Sequence, residues 1–278
     1  MKTRSRSLPR GWYPDSAREC HAEIDDFLEG FNPPQGSWIG GIVPHAGWYF
    51  SGKAAARLIS TISGGARPDR VVVYGGHLGG HSDPIVYTED AWETPMGSQP
   101  MDCEFARDLV SKGHAVEPRY GFADNTVEIQ LPMIRRFFTG IPLIAVHSPA
   151  SERAIQLAAS VHDMLESRGL NAVYIGSADL THYGPNYGFT PKGTGASAVR
   201  WVKEENDHSL IRKALAMDAQ GLLKDAQAKH NTCSAGPIAS VIECAVRKGV
   251  HEGKLLEYYT SYDMMPNSSF VGYAAIVY

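Results

Sequence analysis

Three histidines in this chain each follow an apolar, strand-like run: His45 after Trp38–Val43, His77 after Arg70–Tyr74 and His182 after Asn171–Ile175. Glycines flank all three and permit the close backbone turns that would point the side chains into one cavity. In open α/β sheets, ligands bind in the crevice outside the carboxyl ends of the strands. One histidine at a strand end is ordinarily a satisfied structural residue; three delivered in the same way point to a shared site. Imidazoles bind zinc, copper, iron and nickel, and a thiolate shifts the choice toward softer metals. Cys233 is the natural further donor, because Asn231-Thr-Cys-Ser-Ala-Gly-Pro237 is a polar turn ahead of a predicted helix. A helix N-terminus favours the thiolate form. Three protein donors leave positions open for water, dioxygen or substrate, the layout of a catalytic metal. Glu128, Asp179 and His182 then suit either of two roles, orienting the ligands or moving protons.

Other residues of the same types read differently. Cys244 sits among Ile242, Ala245 and Val246 in a helical pattern and reads as a small buried hydrophobe. Cys20 and Cys103 read as packing or surface residues. His81, beside Gly80, Ser82 and Asp83, is a spare donor in an exposed loop, and His230 a helix-end cation. His21, His114, His147, His162, His208 and His251 have ordinary contexts and no assigned role. The stretch Gly193–Ala198 fits a dinucleotide fingerprint loosely but has no strand before it. The glycine-rich loop around His77 lacks a phosphate-loop ending, and no serine sits in a Gly-x-Ser-x-Gly elbow.

The elements that must position these groups alternate. Short apolar runs at 38–43, 70–74, 141–146 and 171–175 read as strands. Helical periodicity follows from Ser51 as a cap, from Asp102 as a cap, over Ser151 to Arg168, over about 199–229 and from Pro237 to about Lys248. Lys254–Tyr262 and Ser269–Tyr278 read as a late strand pair, added to one sheet edge or forming a small antiparallel piece. This order predicts a largely parallel sheet with helices on both faces, in one continuous domain. A net charge of -4 offers no attraction to nucleic acid or an anionic membrane, and the basic start, Lys2 to Arg10, reads as a solvated tail. No apolar run approaches a membrane span, and no secretory signal is visible. Four scattered cysteines without a Cys-x-x-Cys pair suit a reducing cytoplasm.

Several segments then agree in order: Gly11-Trp-Tyr-Pro14, Val43-Pro-His-Ala-Gly-Trp48 with Ser51-Gly52, Gly76-His77, and Ala91-Trp-Glu-Thr-Pro-Met-Gly97. Glu128-Ile-Gln-Leu-Pro132, Ser177-Ala-Asp-Leu-Thr-His-Tyr-Gly184, Cys233-Ser-Ala-Gly-Pro-Ile238 and Val271-Gly-Tyr-Ala-Ala275 complete the set. Together they resemble the Memo family, also called the AmmeMemoRadiSam system protein B family, over nearly the whole chain. The resemblance implies the fold of the class III extradiol dioxygenases: α/β, with a largely parallel or mixed central sheet and helices on both faces. It implies one divalent transition metal, iron or copper ahead of zinc, on His45, His77 and Cys233. His182, Asp179 and Glu128 would be catalytic, with Asn125, Trp48 and His81 facing a small, possibly aromatic, substrate. The family name links a radical-SAM protein and an AMMECR-type protein as partners. Thiolate in place of the dioxygenases' carboxylate means that ring cleavage does not follow. Where Memo relatives commonly read Glu-His-Ser-x-Glu, this chain has Asp124-Asn-Thr-Val-Glu128, and Asn125 cannot shuttle a proton near neutral pH. Three functions are compatible with this pattern: a metal-dependent oxidoreductase, a metal-dependent hydrolase or lyase, and a binding or adaptor protein without turnover.

Overall fold

The computed structural model describes residues 2–119 and 123–278. Its central sheet has eight strands: β1 (Gly40–Val43), β2 (Arg70–Leu78), β3 (Ile85–Val86), β4 (Leu143–Pro149), β5 (Ala172–Ser177), β6 (His182–Tyr183), β7 (Lys254–Thr260) and β8 (Phe270–Val277). The order is β7-β8-β1-β5-β2-β4-β3, with the short β6 added to β8. The four inner strands β1, β5, β2 and β4 are parallel, while β3, β8, β7 and β6 pair antiparallel at the flanks. The late strand pair therefore extends one edge of the sheet.

Strands buried on both faces are apolar throughout, and β2 shows why. Val71 and Val73 point into one core, Val72 and Tyr74 into the other, and all four are fully buried. The first core is completed by the helices Ala17–Leu28, Trp48–Ser63 and Leu131–Phe137. The second is completed by Glu152–Ser167, Asp207–Leu215, Ala219–Lys229 and Ala235–Arg247. Asp102 caps Cys103–Ser111 by accepting from the Phe105 N–H at 2.9 Å, as its position predicts. No helix among the described residues is long and apolar enough to cross a membrane.

Four local expectations are revised. The first long helix begins at Trp48, and Ser51, one turn inside it, donates its hydroxyl to the Ala46 carbonyl at 2.8 Å instead of capping. The helical stretch 199–229 is several pieces. Ala196–Trp201 runs through a π turn, Val202–Asn206, into Asp207–Leu215; the chain then breaks at Met217 (φ 59°) and restarts under the Asp218 cap. The strand expected to reach Tyr262 stops at Thr260, whose capping box with Asp263 starts the turn Ser261–Met264. The basic N-terminal segment is not a free tail. Thr3–Arg4 pairs in parallel with Ala91–Trp92, and the Arg4 guanidinium lies 4.6 Å and 4.7 Å from the Tyr87 and Trp92 ring centroids. Cation–π contact and partial burial hold this arginine in place, so its charge is not available to a nucleic acid.

Candidate metal centre

The parallel strands β1, β5 and β2 are neighbours, so the segments at their carboxyl ends converge. His45 lies two residues beyond β1. Its backbone N–H donates to Asp179 Oδ1 at 2.7 Å, and its carbonyl accepts from Asn125 Nδ2 at 3.0 Å. His77 lies within β2, after Gly76 at φ 96°. A side chain at Gly76 would be strained there and would meet the Cβ of His147 at 2.7 Å. Cys233 comes from the loop before the helix Ala235–Arg247. That helix approaches the strand ends closely because residue 236 has no Cβ, which would otherwise stand 2.4 Å from the Ser148 and Pro149 carbonyl oxygens. Thr232 Oγ1 and the Cys233 N–H both donate to the Asp179 carbonyl, at 2.6 Å and 3.3 Å, and fix the loop.

The result is a cluster of three donors. His45 Nε2 and His77 Nε2 are 3.2 Å apart, Cys233 Sγ is 3.2 Å from His45 Nε2, and all three ligand atoms lie within 4.8 Å of one another. Tetrahedral bonds of about 2.0–2.1 Å to nitrogen and 2.3 Å to sulfur place donors roughly 3.4–3.6 Å apart, so the cluster fits a mononuclear ion. His77 Nδ1 meets Asp124 Oδ2 at 3.1 Å. A carboxylate there holds the ring hydrogen on Nδ1 and turns the Nε2 lone pair to the centre. Asp124 is itself fixed by the Thr126 N–H at 2.8 Å and by the Thr126 hydroxyl. Loss of such a partner weakens metal binding by about 10–100-fold, so Asp124→Asn is expected to raise the dissociation constant by that factor with the fold intact. Competition with a chromophoric chelator measures it; unchanged affinity would remove Asp124 from the centre.

The electrostatics favour the thiolate form of Cys233, while His77 must give up a proton to ligate. Burial opposes ionisation of Cys233, but His45, then His182 and His77, pull its thiol well below the ordinary range, toward the thiolate that binds metals. The hydrogen bond that His77 donates to Asp124, aided by Cys233, pushes His77 up to about 10. Burial works against a charged His182, but Asp179 and Cys233 beside it hold it at about 10. Burial likewise raises Asp179, and the opposing pull of His45 and His182 brings it below its usual value.

The structure brings some of the remaining expected residues to this centre and sets others elsewhere. Asp179 is buried, its Oδ2 3.7 Å from His182 Nε2 and 3.9 Å from His45 Nε2. Thr181 anchors the His182 loop by donating its N–H and hydroxyl to Asp207 Oδ1, at 3.0 Å and 2.5 Å. Asp207 is deeply buried, and burial pushes its acid up to about 7. Asn125 lines the cavity in front of the cluster. Glu128 does not: its carboxylate accepts from the Ser7 N–H and hydroxyl, the Leu8 N–H and the Tyr13 hydroxyl. Trp48 is buried between Tyr13 and Phe27 and donates to the Ile129 carbonyl at 3.1 Å. His81 is exposed and lines a different cavity, one that reaches Cys233 from another side.

Groups without a sequence assignment take those places. Asp124 orients His77, and His147, fully buried, stands behind Asp124 with Nε2 3.8 Å from its Oδ1 and 3.3 Å from the Tyr87 hydroxyl. Burial lowers His147 to about 4, so it is neutral near pH 7. Trp12, Phe50, Tyr187 and Tyr273 wall a cavity of about 390 Å³ over His45, His77 and His182. Tyr187 packs edge-on against His182 at 4.9 Å. A second cavity, about 440 Å³, joins at His182 and Tyr187 and reaches Cys233; His230 lines it with a left-handed backbone (φ 51°) and its ring against Phe189.

The family model described as Memo-like protein matches residues 4–277. A MEMO1 family protein of Methanopyrus kandleri is 32% identical over 250 residues, covering 86% of this chain and 82% of that one. One from Pyrococcus furiosus is 30% identical over 290 residues, covering 96% and 95%. One from Methanosarcina acetivorans is 27% identical over 283 residues, covering 100% and 99%. Among solved structures, an uncharacterized protein of Escherichia coli K12 superposes with a TM-score of 0.51 over 80% of this chain and 91% of that one. At 12% identity, the two share a fold.

Proposed function

This chain belongs to the Memo-like family, and from that premise we propose that it is a metal-dependent oxidoreductase holding one divalent transition metal on His45, His77 and Cys233 and acting on a small aromatic molecule. The observation that carries the reading is the convergence of three donors from three separate segments, with ligand atoms within 4.8 Å of one another. Two imidazoles and a thiolate suit copper or iron ahead of zinc, and a redox metal so held supplies electron transfer and activation of dioxygen or substrate. The chain's own groups do the rest. Asp124 orients His77, and His182, with Asp179 beside it, holds or moves a proton at Nε2. Asn125, where the Memo resemblance implies a histidine, donates and accepts hydrogen bonds without transferring a proton. The aromatic walls exclude water and hold a ring. A radical-SAM protein and an AMMECR-type protein are the partners this reading proposes for a shared pathway.

Metal content of anaerobically purified protein, measured by inductively coupled plasma mass spectrometry, tests it. Near-stoichiometric iron or copper in the wild type, lost in His45→Ala, is the expected result, followed by oxygen uptake with catechol-like compounds. Zinc lost in the same way would transfer the reading to water activation and hydrolysis. Well-folded wild type that holds and takes up no metal would leave a binding protein without turnover.

A further inference from the structure

His182 and Cys233 come from separate loops, yet both line one cavity. The loops meet directly at the Asp179 carbonyl, which accepts from Thr232 Oγ1 and from the Cys233 N–H. A single acceptor shared in this way acts as a hinge and leaves the distance between imidazole and sulfur to be set elsewhere. Pairing with β8 holds the backbone of His182 and Tyr183 to the sheet. A further set of bonds reaches both loops from the π turn Val202–Asn206 and the residue after it. π turns are rare and concentrate at functional sites. An added residue turns the helix beyond it by about 100°, and this turn ends on the two residues that make those bonds.

On the His182 side the contact is with Thr181. Asp207 Oδ1 accepts its N–H and hydroxyl, and Asn206 Nδ2 donates to its oxygen at 2.9 Å. The hydroxyl next to His182 is thus gripped through its proton and through its lone pair. On the Cys233 side the contact is with Asn231, whose Nδ2 donates to the Asn206 carbonyl at 3.1 Å and to Asp225 Oδ2 at 2.8 Å. Thr181, Asn206, Asp207 and Asn231 are each at most 2% exposed. Polar groups so deeply buried cost stability unless bonded, and a bonded network fixes orientation in return. The far oxygen of Asp207 is fitted as closely: Oδ2 accepts from the Tyr258 hydroxyl at 2.8 Å, and a Cβ on Gly272 would stand 2.0 Å from it.

We infer that Asn206 and Asp207 are positioning residues which, through Thr181 on one side and Asn231 on the other, hold His182 in place against Cys233. This rests on the reading of the cluster as a reactive centre, and adds what sets its proton-carrying imidazole against its sulfur. The pair acts through the geometry of donors and acceptors, not through the charge of Asp207. An amide at position 207 has the same shape: its oxygen can accept from Thr181, and its N–H can donate to the Tyr258 oxygen.

The rate at which iodoacetamide alkylates Cys233 in metal-free protein, followed across pH by mass spectrometry of the peptide that carries it, tests the inference. Removing one of the imidazoles that favour the thiolate should move the midpoint of this profile upward by about one pH unit. That shift is expected in Asp207→Ala and in Asn231→Ala, each read well below its Tm. Asn206→Ala, which keeps Asp207 and removes only the amide on Thr181, should move it the same way and stands in where Asp207→Ala does not fold. Asp207→Asn should stay near wild type. So should Tyr174→Phe, which removes a buried hydroxyl 3.3 Å from His162 Nδ1 and serves as the control for lost stability. An unmoved midpoint in any folded alanine variant would overturn the inference. So would a full shift in Asp207→Asn, which would make charge the cause, or in Tyr174→Phe, which would make it general loosening. Zinc uptake by the same wild-type protein is measured separately. No uptake together with the expected shifts would sink the metal reading alone; full uptake with unmoved midpoints would sink this one alone.

Discussion

Cys233→Ala is expected to bind its metal on the order of a hundred to a thousand times more weakly than the wild type. Structural zinc sites with four donors bind with roughly 10–16 kcal/mol, about 3–4 kcal/mol for each donor, and every 1.4 kcal/mol is a factor of ten. The remaining donors would be two imidazoles, with Asp179 Oδ2 the nearest carboxylate oxygen at 3.9 Å from His45 Nε2. Asp179 cannot readily replace the sulfur, because its Oδ1 is committed to the His45 backbone N–H at 2.7 Å. Cys233→Asp is the informative companion. It would create a set of two histidines and one carboxylate, which suits Fe(II), and is expected to recover part of the affinity while shifting preference from copper and zinc toward iron. Cys244→Ala serves as the control, since Cys244 is fully buried against Tyr74, whose hydroxyl is 3.4 Å from its sulfur. Equilibrium competition against a chelator, with copper, iron and zinc in turn, gives the constants for all four proteins. Wild-type affinity in Cys233→Ala would mean that sulfur is not a donor.

The donors were legible because each carries a local mark. His45 follows an apolar strand and a Pro-His-Ala-Gly turn, His77 follows one and a glycine pair, and Cys233 precedes a helix. What orients them was not legible, because it depends on where strands end. The apolar run at 141–146 suggests a strand stopping at Val146, but β4 continues to Pro149 and places His147 beside Gly75 of β2 in register. In that position an apparently ordinary histidine stands behind Asp124. Asp124 itself meets His77 across 47 residues of chain, a contact that neither periodicity nor composition encodes. Trp12 and Tyr187 likewise reach the cavity only through tertiary structure, from an N-terminal segment and from the short helix Pro185–Tyr187.

The fold was more readable than its boundaries. Doubly buried parallel strands must be apolar on both faces, and amphipathic helices must cover them, so the alternation of the two patterns carries the architecture. Boundaries yield to local competition. Ser51 lost the cap to Gly47 because the chain leaves Pro44-His-Ala on the backbone bonds that hold His45. Met217 interrupts a stretch with good helix formers on both sides because the two helices it joins must pack against each other.

Glu128 shows how far a correct motif can mislead about a role, and it carries the largest stability prediction. Its residue type and its place near the cluster's loops suggest a proton-transfer group. In the fold it is the seat of the N-terminal segment: Ser7 N–H lies 2.9 Å from each oxygen, the Leu8 N–H and Tyr13 hydroxyl are 2.9 Å and 3.0 Å from Oε1, and the Ser7 hydroxyl is 2.5 Å from Oε2. Glu128 is fully buried, so its removal would leave several donors without an acceptor as well as a void. Glu128→Ala is therefore expected to destabilise the protein by about 3–5 kcal/mol. At about 2–4 °C per kcal/mol for a chain of this size, Tm should fall by about 10 °C. Glu128→Gln, which turns an amide toward donors and keeps one acceptor, should lose an intermediate amount. The segment that is released also carries Trp12, whose carbonyl accepts from the Trp48 N–H at 2.8 Å and whose ring walls the cavity. Loss of stability should thus come with tryptic cleavage at Arg4 and Arg6 and weaker binding of ring compounds, while metal affinity, set by donors elsewhere, changes little. Calorimetry and timed proteolysis separate the outcomes. A variant as stable and as protease-resistant as wild type would show that the clasp contributes nothing, whereas loss of metal together with the segment would tie Glu128 to the centre after all.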